Sequence, residues 1–106
     1  MSPARQADPE LDCLIAEITI DAYDEDEALQ AFDNAFDEDA SFPLPGSVIG
    51  EDITVLSIGQ ANSRRELTAT CTRNKRHYEI ALLDITIHAN PTVSRLLAAY
   101  HRWFGP

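Results

Sequence analysis

The first forty residues place apolar side chains at the three- and four-residue spacing of one helical face. The first such stretch follows Asp8-Pro9-Glu10, where a cap residue, a first-turn proline and an acid stand in the order typical of a helix start. Its apolar positions are Leu11, Leu14, Ile15, Ile18 and Ala22. The pattern predicts a helix, with a strand as the alternative because residues 18–20 are β-branched.

A second amphipathic helix is predicted from Asp24 onward. Asp24 and Glu27 have the spacing of a helix cap and the acid that supports it. The apolar stripe consists of Ala28, Leu29, Phe32, Ala35 and Phe36. We expect this helix to end before the segment Phe42-Pro43-Leu44-Pro45-Gly46, because a helix cannot continue through these prolines.

Beyond this break the apolar period shifts toward two, which is typical of strands. The predicted strands are 53–58, 67–72, 78–82 and a short one within 84–89. A hairpin turn is predicted at 74–76 and a polar loop at 59–65.

The end of the chain predicts a third amphipathic helix after Asn90-Pro91-Thr92. Its apolar positions are Val93, Leu96, Leu97, Tyr100 and Phe104. Tyr100, Trp103 and Phe104 are expected to be core anchors, with a recognition patch as the alternative. The predicted fold class is α+β, with acidic N-terminal helices and a C-terminal helix packed on a small antiparallel sheet. A length of 106 residues suits a single domain over 1–106, of which 1–8 are expected to be flexible.

Charge is distributed very unevenly along the chain. There are 18 acidic and 8 basic residues, for a net charge of −10. Residues 1–60 hold fifteen of the acids and a single base, whereas residues 61–106 hold three acids and seven bases. We expect the two halves to attract each other and any external partner to be cationic. Binding to nucleic acid is disfavoured, because the phosphate backbone attracts basic proteins.

Cysteine, histidine and membrane patterns point to a cytoplasmic protein without a catalytic centre. Cys13 and Cys71 have no CxxC neighbour, so we expect buried thiols. The longest uncharged runs have 11 residues, which is below the ~18 of a membrane helix. No signal-peptide pattern precedes them. The three histidines, His77, His88 and His101, lack ligand-spaced partners, and no enzyme motif is present. The chain is therefore predicted not to be an enzyme.

The segment from Asp21 to Ser41 carries nine carboxylates. Three of them, Asp37, Glu38 and Asp39, fall at the predicted end of the second helix, where unpaired carbonyls already carry partial negative charge. This placement is unfavourable unless a cation binds there. Flexible carboxylates and helix-end carbonyls suit Ca²⁺ better than Mg²⁺. The segment is not an EF-hand, because Phe42 and Val48 stand where that loop needs Gly and Glu.

The same region resembles the small acidic CcbP-type calcium-binding proteins of prokaryotes. The similar segments are 18–28, with its Asp-Ala-Tyr and following acids, 36–39, and the pair Phe42-Pro43; further on they are 51–56, 78–84 and 92–105. The resemblance covers about residues 17–105. It implies a non-EF-hand calcium-binding protein with helices packed on a small antiparallel, SH3-like sheet, and a role in buffering or sequestering cytoplasmic calcium.

The resemblance also implies a set of ligands. Asp37 and Glu38 match the acid pair of the family before Phe-Pro, and Asp21, Glu25 and Glu27 match its Asp-Ala-Tyr segment. With Asp39 from the helix end, the predicted calcium ligands are Asp37, Glu38, Asp39, Asp21, Glu25 and Glu27.

Two other classes of function stay open at this point. An acidic protein-interaction module, such as an immunity protein, an antitoxin or a nucleic-acid mimic, would place the acidic helix on a basic protein partner. A hydrolase using paired carboxylates would need a pocket and a carboxyl group with a raised pKa.

Overall fold

The computed structural model describes residues 8–60 and 66–105. Within them the elements are α1 (Pro9–Ile18), α2 (Glu25–Asp39), β1 (Leu44–Val48), β2 (Glu51–Gln60), β3 (Leu67–Arg73), β4 (Arg76–Ala81), a 3-10 turn (Leu82–Asp84), β5 (Thr86–Ile87) and α3 (Pro91–Phe104). Of the segment 1–8 predicted to be flexible, residues 1–7 lie outside the described residues, as do residues 61–65 of the polar loop predicted over 59–65.

All three helices begin at their predicted caps. The side chains of Asp8, Asp24 and Asn90 each accept a hydrogen bond from the backbone N–H three residues later, at 3.1, 2.8 and 2.9 Å. These bonds satisfy N–H groups that lack a partner within the helix. The strand alternative for 18–20 is wrong, because α1 ends at Ile18 and Thr19 caps it.

The five strands form one antiparallel sheet in the order β4-β3-β2-β1-β5. Two-residue turns join β1 to β2 and β3 to β4, and their four residues have positive φ: Ile49, Gly50, Asn74 and Lys75. Left-handed backbone at both turn positions matches the twist of the flanking strands. The predicted hairpin at 74–76 is confirmed. Gly59 and Gln60, predicted to start a loop, belong to β2.

Strand β1 was not predicted from the sequence. It lies in the proline-containing segment that the sequence predicts only to end α2, and it pairs with both β2 and β5. The carbonyl of Pro45 accepts a hydrogen bond from the backbone N–H of His88, at 2.9 Å. At Gly46 an added Cβ would lie 2.8 Å from the carbonyl oxygen of Thr86. A glycine here therefore lets β5 approach β1 closely.

The core lies between the sheet and the helices. Its largest fully buried side chains include Phe32 and Phe36 from α2, Tyr100 from α3, and Val55 and Leu67 from the sheet. The predicted α+β class, with helices packed on a small antiparallel sheet, is confirmed. Tyr100 is a core anchor as predicted, whereas Trp103 is half-buried and Phe104 is 36% exposed.

The first helix is joined to the last by an ion pair. The Arg102 Nε donates to an Asp12 carboxylate oxygen at 2.8 Å. Cys71 is buried as expected, but the same expectation for Cys13 is wrong, because its position on α1 is exposed to solvent. Both thiols are free. Across residues 8–60 and 66–105, no helix has the length and apolar character needed to cross a membrane.

Candidate functional site

Helix α2 and the turn before it carry all six predicted calcium ligands, and every one of them is exposed. They form two groups. The N-terminal acid group is Asp21, Glu25 and Glu27, and the C-terminal acid group is Asp37, Glu38 and Asp39. At the α-helical rise, the helical residues of one group lie ~15 to 21 Å along the axis from those of the other. Calcium binds oxygens at ~2.3 to 2.6 Å, so a single ion cannot contact both groups.

In the N-terminal acid group, Glu27 also has a structural role. One of its carboxylate oxygens accepts a hydrogen bond from the backbone N–H of Tyr23, at 2.8 Å. Its own backbone N–H donates to the Asp24 cap. Together the two hydrogen bonds hold the start of α2 in place. Acids in the first turn are also stabilised by the positive end of the helix dipole. Glu27 thus has a structural role that does not require a metal.

The C-terminal acid group lies in the opposite electrostatic environment. Its three carboxylates occupy the last turn of α2, which contains no base. The backbone N–H of Ala40 satisfies the carbonyl of Phe36, at 2.9 Å. Other helix-end carbonyls point toward the same end and add partial negative charge. A cation would be attracted to this turn by both the side chains and the backbone.

Asp39 differs from its two neighbours in its surroundings. It lines a cleft of about 250 Å³ together with Arg95 and Pro91 of α3. Asp39 thus shares this cleft with a basic residue, whose positive charge would disfavour a metal ion bound there. Asp37 and Glu38 do not line that cleft, so they are the better-placed members of the C-terminal acid group.

Among residues 8–60 and 66–105, no three Asp, Glu, His or Cys side chains converge closely enough to hold a metal ion. The oxygen-rich donors still fit calcium chemically, because Ca²⁺ accepts carboxylates, backbone carbonyls and water in loose geometry. The six residues stay predicted ligands.

Asp33 is a carboxylate that the sequence analysis did not single out. Partial burial and the nearby charge of Asp37 raise the pKa of Asp33, against the lowering effect of hydrogen bonds from Gln60. The side chain of Gln30 accepts from Gln60 at 2.7 Å and donates to Asn34 at 3.0 Å. The spacing of residues along α2 is enough to reveal that Asp33 and Asp37 are neighbours. It cannot reveal the contact of Asp33 with Gln60, because Gln60 lies on β2.

Comparison with known proteins supports the fold. No protein-family profile matches the chain, and no curated protein sequence is significantly similar to it. Two solved structures match it with high structural similarity. The crystal structure of Anabaena CcbP has a TM-score of 0.81 and 17% identity, covering 96% of this chain and 94% of that one. A calcium-binding protein in its calcium-binding form has a TM-score of 0.80 and 18% identity, covering 97% of this chain and 94% of that one. The predicted resemblance is thereby confirmed for the fold: over nearly its whole length, this chain folds as Anabaena CcbP does.

Proposed function

We propose that this protein binds Ca²⁺ and catalyses no reaction. The observation that carries the proposal is the structural match, over 97% of the chain, to a protein described as being in its calcium-binding form. The sequence resemblance of the Asp-Ala-Tyr segment, the following acids and Phe42-Pro43 points to the same function.

Electrostatic repulsion within the C-terminal acid group favours it as the principal site. Three carboxylates at the negative end of a helix repel one another and the helix carbonyls, and no base in the last turn offsets that repulsion. Binding of a divalent cation would turn this unfavourable interaction into a favourable one. We propose Asp37 and Glu38 as the main ligands, with Asp39 beside them. The N-terminal acid group would form a second, weaker site, because the positive end of α2 and the Tyr23 N–H already neutralise part of its charge.

The proposed role is to buffer or sequester calcium in the cytoplasm. A calcium sensor needs two conformations that differ in calcium affinity. A buffer needs only the binding site, which exposed carboxylates on a stable helix can supply.

Isothermal titration of chelator-stripped protein with Ca²⁺ tests the proposal. The titration is run in ~0.1 M salt, where exposed charges more than ~10 Å apart are largely screened, and is repeated with excess Mg²⁺. Saturable binding that persists in Mg²⁺ is expected. Weak heats that salt or Mg²⁺ abolish would show a merely acidic surface and contradict the proposal.

Paired variants locate the site. Asp37→Asn with Glu38→Gln should remove most of the calcium affinity, whereas Asp21→Asn with Glu25→Gln should leave the tighter site intact. Asp52→Asn with Glu79→Gln is the matched control, because it neutralises two exposed carboxylates on the sheet. If the control weakens binding as much as the first pair does, the affinity comes from net charge and the proposed ligands are wrong.

A second candidate function is supported by the connection between α1 and α2. Ile20 and Tyr23 are 77% and 91% exposed, and they alternate with the carboxylates of Asp21 and Asp24. Exposed apolar side chains among acids are typical of a surface that meets a basic partner. This alternative predicts tight, salt-sensitive binding to one basic protein in the presence of a calcium chelator, and loss of that binding in Tyr23→Ser.

A further inference from the structure

A cleft of about 190 Å³ lies where the first turn of α2 meets the last turn of α3. It is lined by Glu25, Asp26, Leu29, Trp103 and Phe104. Two acidic, two aromatic and one aliphatic residue of the described part of the chain thus line a common space. We refer to it as the α2–α3 cleft.

The aromatic side of the α2–α3 cleft is held in place by the core. Trp103 stacks on Phe32 with 5.0 Å between ring centroids, and Phe104 stacks on Tyr100 at 5.3 Å with the two planes 7° apart. Phe32 and Tyr100 are fully buried. The Trp103 and Phe104 rings lie 5.9 Å apart and are inclined by 43° to each other. Both rings are therefore positioned before any ligand arrives, which lowers the entropic cost of binding.

Electrostatics at the α2–α3 cleft favours a cation. Aromatic faces carry partial negative charge, which attracts cations within ~6 Å of the ring centre. The carboxylate of Glu25 adds a full negative charge, and the C-terminal end of α3 adds a partial one. The positive end of α2 offsets part of this charge, so a monovalent cation matches the cleft better than a divalent ion.

The composition of the lining decides which cation fits. A bare metal ion needs a shell of oxygen ligands, and the rings and Leu29 supply none. An ammonium group that carries methyl or other alkyl substituents can instead bury those substituents against the rings and Leu29. Its charge then interacts with the aromatic rings and the Glu25 carboxylate. Aromatic surroundings of this kind are the recognised means of binding quaternary ammonium groups.

We propose that the α2–α3 cleft binds a small organic cation with an alkylated ammonium group. This site is additional to the proposed calcium site at the other end of α2. Glu25 belongs both to the cleft and to the N-terminal acid group, so the test is carried out with calcium removed.

Trp103 is the only tryptophan and forms part of the cleft wall, which makes it an intrinsic reporter. Chelator-stripped protein is titrated with choline chloride at constant ionic strength, using sodium chloride to balance it. The matched ligand control is 3,3-dimethylbutan-1-ol, which has the shape of choline without its charge. We expect a saturable change in Trp103 fluorescence with choline only. An equal response to the neutral alcohol, or no saturation with choline, would overturn the proposal.

Variants then test the residues, with calorimetry as the readout. Phe104→Leu and Glu25→Gln should each weaken choline binding by about fivefold, the scale of one cation–π or partly screened charge interaction. Glu79→Gln, on the distant strand β4, should leave choline binding unchanged. If Phe104→Leu and Glu25→Gln bind choline as tightly as wild type, the cleft is not the site. The double variant Asp37→Asn with Glu38→Gln should bind choline as wild type does but lose calcium binding. The choline proposal and the calcium proposal can therefore fail independently of each other.

Discussion

The hydroxyl oxygen of Tyr100 accepts a hydrogen bond from the backbone N–H of Leu67, with 2.9 Å between the two atoms. Both side chains are fully buried. This bond attaches α3 to the first residue of β3. It therefore joins the closing helix to an interior strand of the sheet.

Replacing Tyr100 with Phe should destabilise the fold by about 1 to 3 kcal/mol, because the N–H of Leu67 loses its acceptor inside the core. Urea unfolding followed by circular dichroism measures the change. Tyr78→Phe is the matched control, since Tyr78 is 45% exposed and its substitution should cost little. Equal urea midpoints for the two variants would contradict the role assigned to this bond.

Tyr100 also predicts a loss of stability at alkaline pH. Burial, as the largest cause, raises the pKa of Tyr100 from 10.0 to about 12. Because the pKa of Tyr100 is higher in the folded than in the unfolded state, deprotonation favours unfolding. The free energy of unfolding therefore has its full value below pH 10 and falls as the pH rises toward 12. The loss should reach about 2 to 3 kcal/mol. Urea midpoints measured across this range should fall in wild type and fall less in Tyr100→Phe; parallel curves would show that another group is responsible.

Asp33→Asn should increase stability at neutral pH. The raised pKa of Asp33 means that its charged form is disfavoured in the folded state. Asparagine keeps an oxygen that can accept from Gln60 and removes the repulsion with Asp37. The gain should shrink as the pH falls through the raised pKa of folded Asp33, and it should be gone below the ordinary value of 3.8, where Asp33 is protonated in both the folded and the unfolded wild type. Thermal unfolding at several pH values checks this, with Asp52→Asn as a control for net charge; a gain that does not depend on pH would contradict the explanation.

Gly46→Ala should destabilise the protein by about 1 to 3 kcal/mol, the usual cost of overfilling a packed site. The new methyl group would lie 2.8 Å from the carbonyl oxygen of Thr86, which is backbone and cannot move without disturbing β5. Gly59→Ala is the matched control in β2, because the nearest atoms there, the Asp33 carboxylate oxygens, are 3.9 Å from an added Cβ. The control should be neutral or stabilising, since alanine restricts the unfolded chain. Similar urea midpoints would refute the close approach of β1 and β5.

Calcium should stabilise the fold in proportion to site occupancy. At a free concentration 100 times Kd, the gain is ~2.7 kcal/mol per site if the unfolded chain does not bind. Thermal unfolding with Ca²⁺, with Mg²⁺ and with chelator measures the effect. Asp37→Asn with Glu38→Gln should remove most of the gain. If that variant is stabilised as much as wild type, the C-terminal acid group is not the principal site.

The helices were predictable because their start signals are local. The caps at Asp8, Asp24 and Asn90 act within three residues, so sequence spacing is enough to locate them. Strand β1 was missed because Pro45 and Gly46 have low strand propensity, and their extended conformation comes from pairing with β2 and β5. Tertiary contacts, and not local propensity, make this segment a strand.

As with the fold, the local features of the candidate site could be predicted from the sequence and its long-range contacts could not. The carboxylates of α2 are visible in the sequence, and the match to CcbP confirms the fold that carries them. The position of Gln60 beside Asp33 and that of Trp103 beside Glu25 depend on long-range packing. No periodicity along a single helix can reveal such neighbours.

The separation of the two acid groups along α2 has a consequence for how the protein would respond to calcium. The ~15 to 21 Å between their helical residues exceeds the Debye length of ~8 Å at physiological ionic strength. An ion at one end of the helix would therefore hardly alter the affinity of the other end. The predicted binding curve has a Hill coefficient no greater than one, and uptake would rise gradually with calcium concentration instead of switching at a threshold.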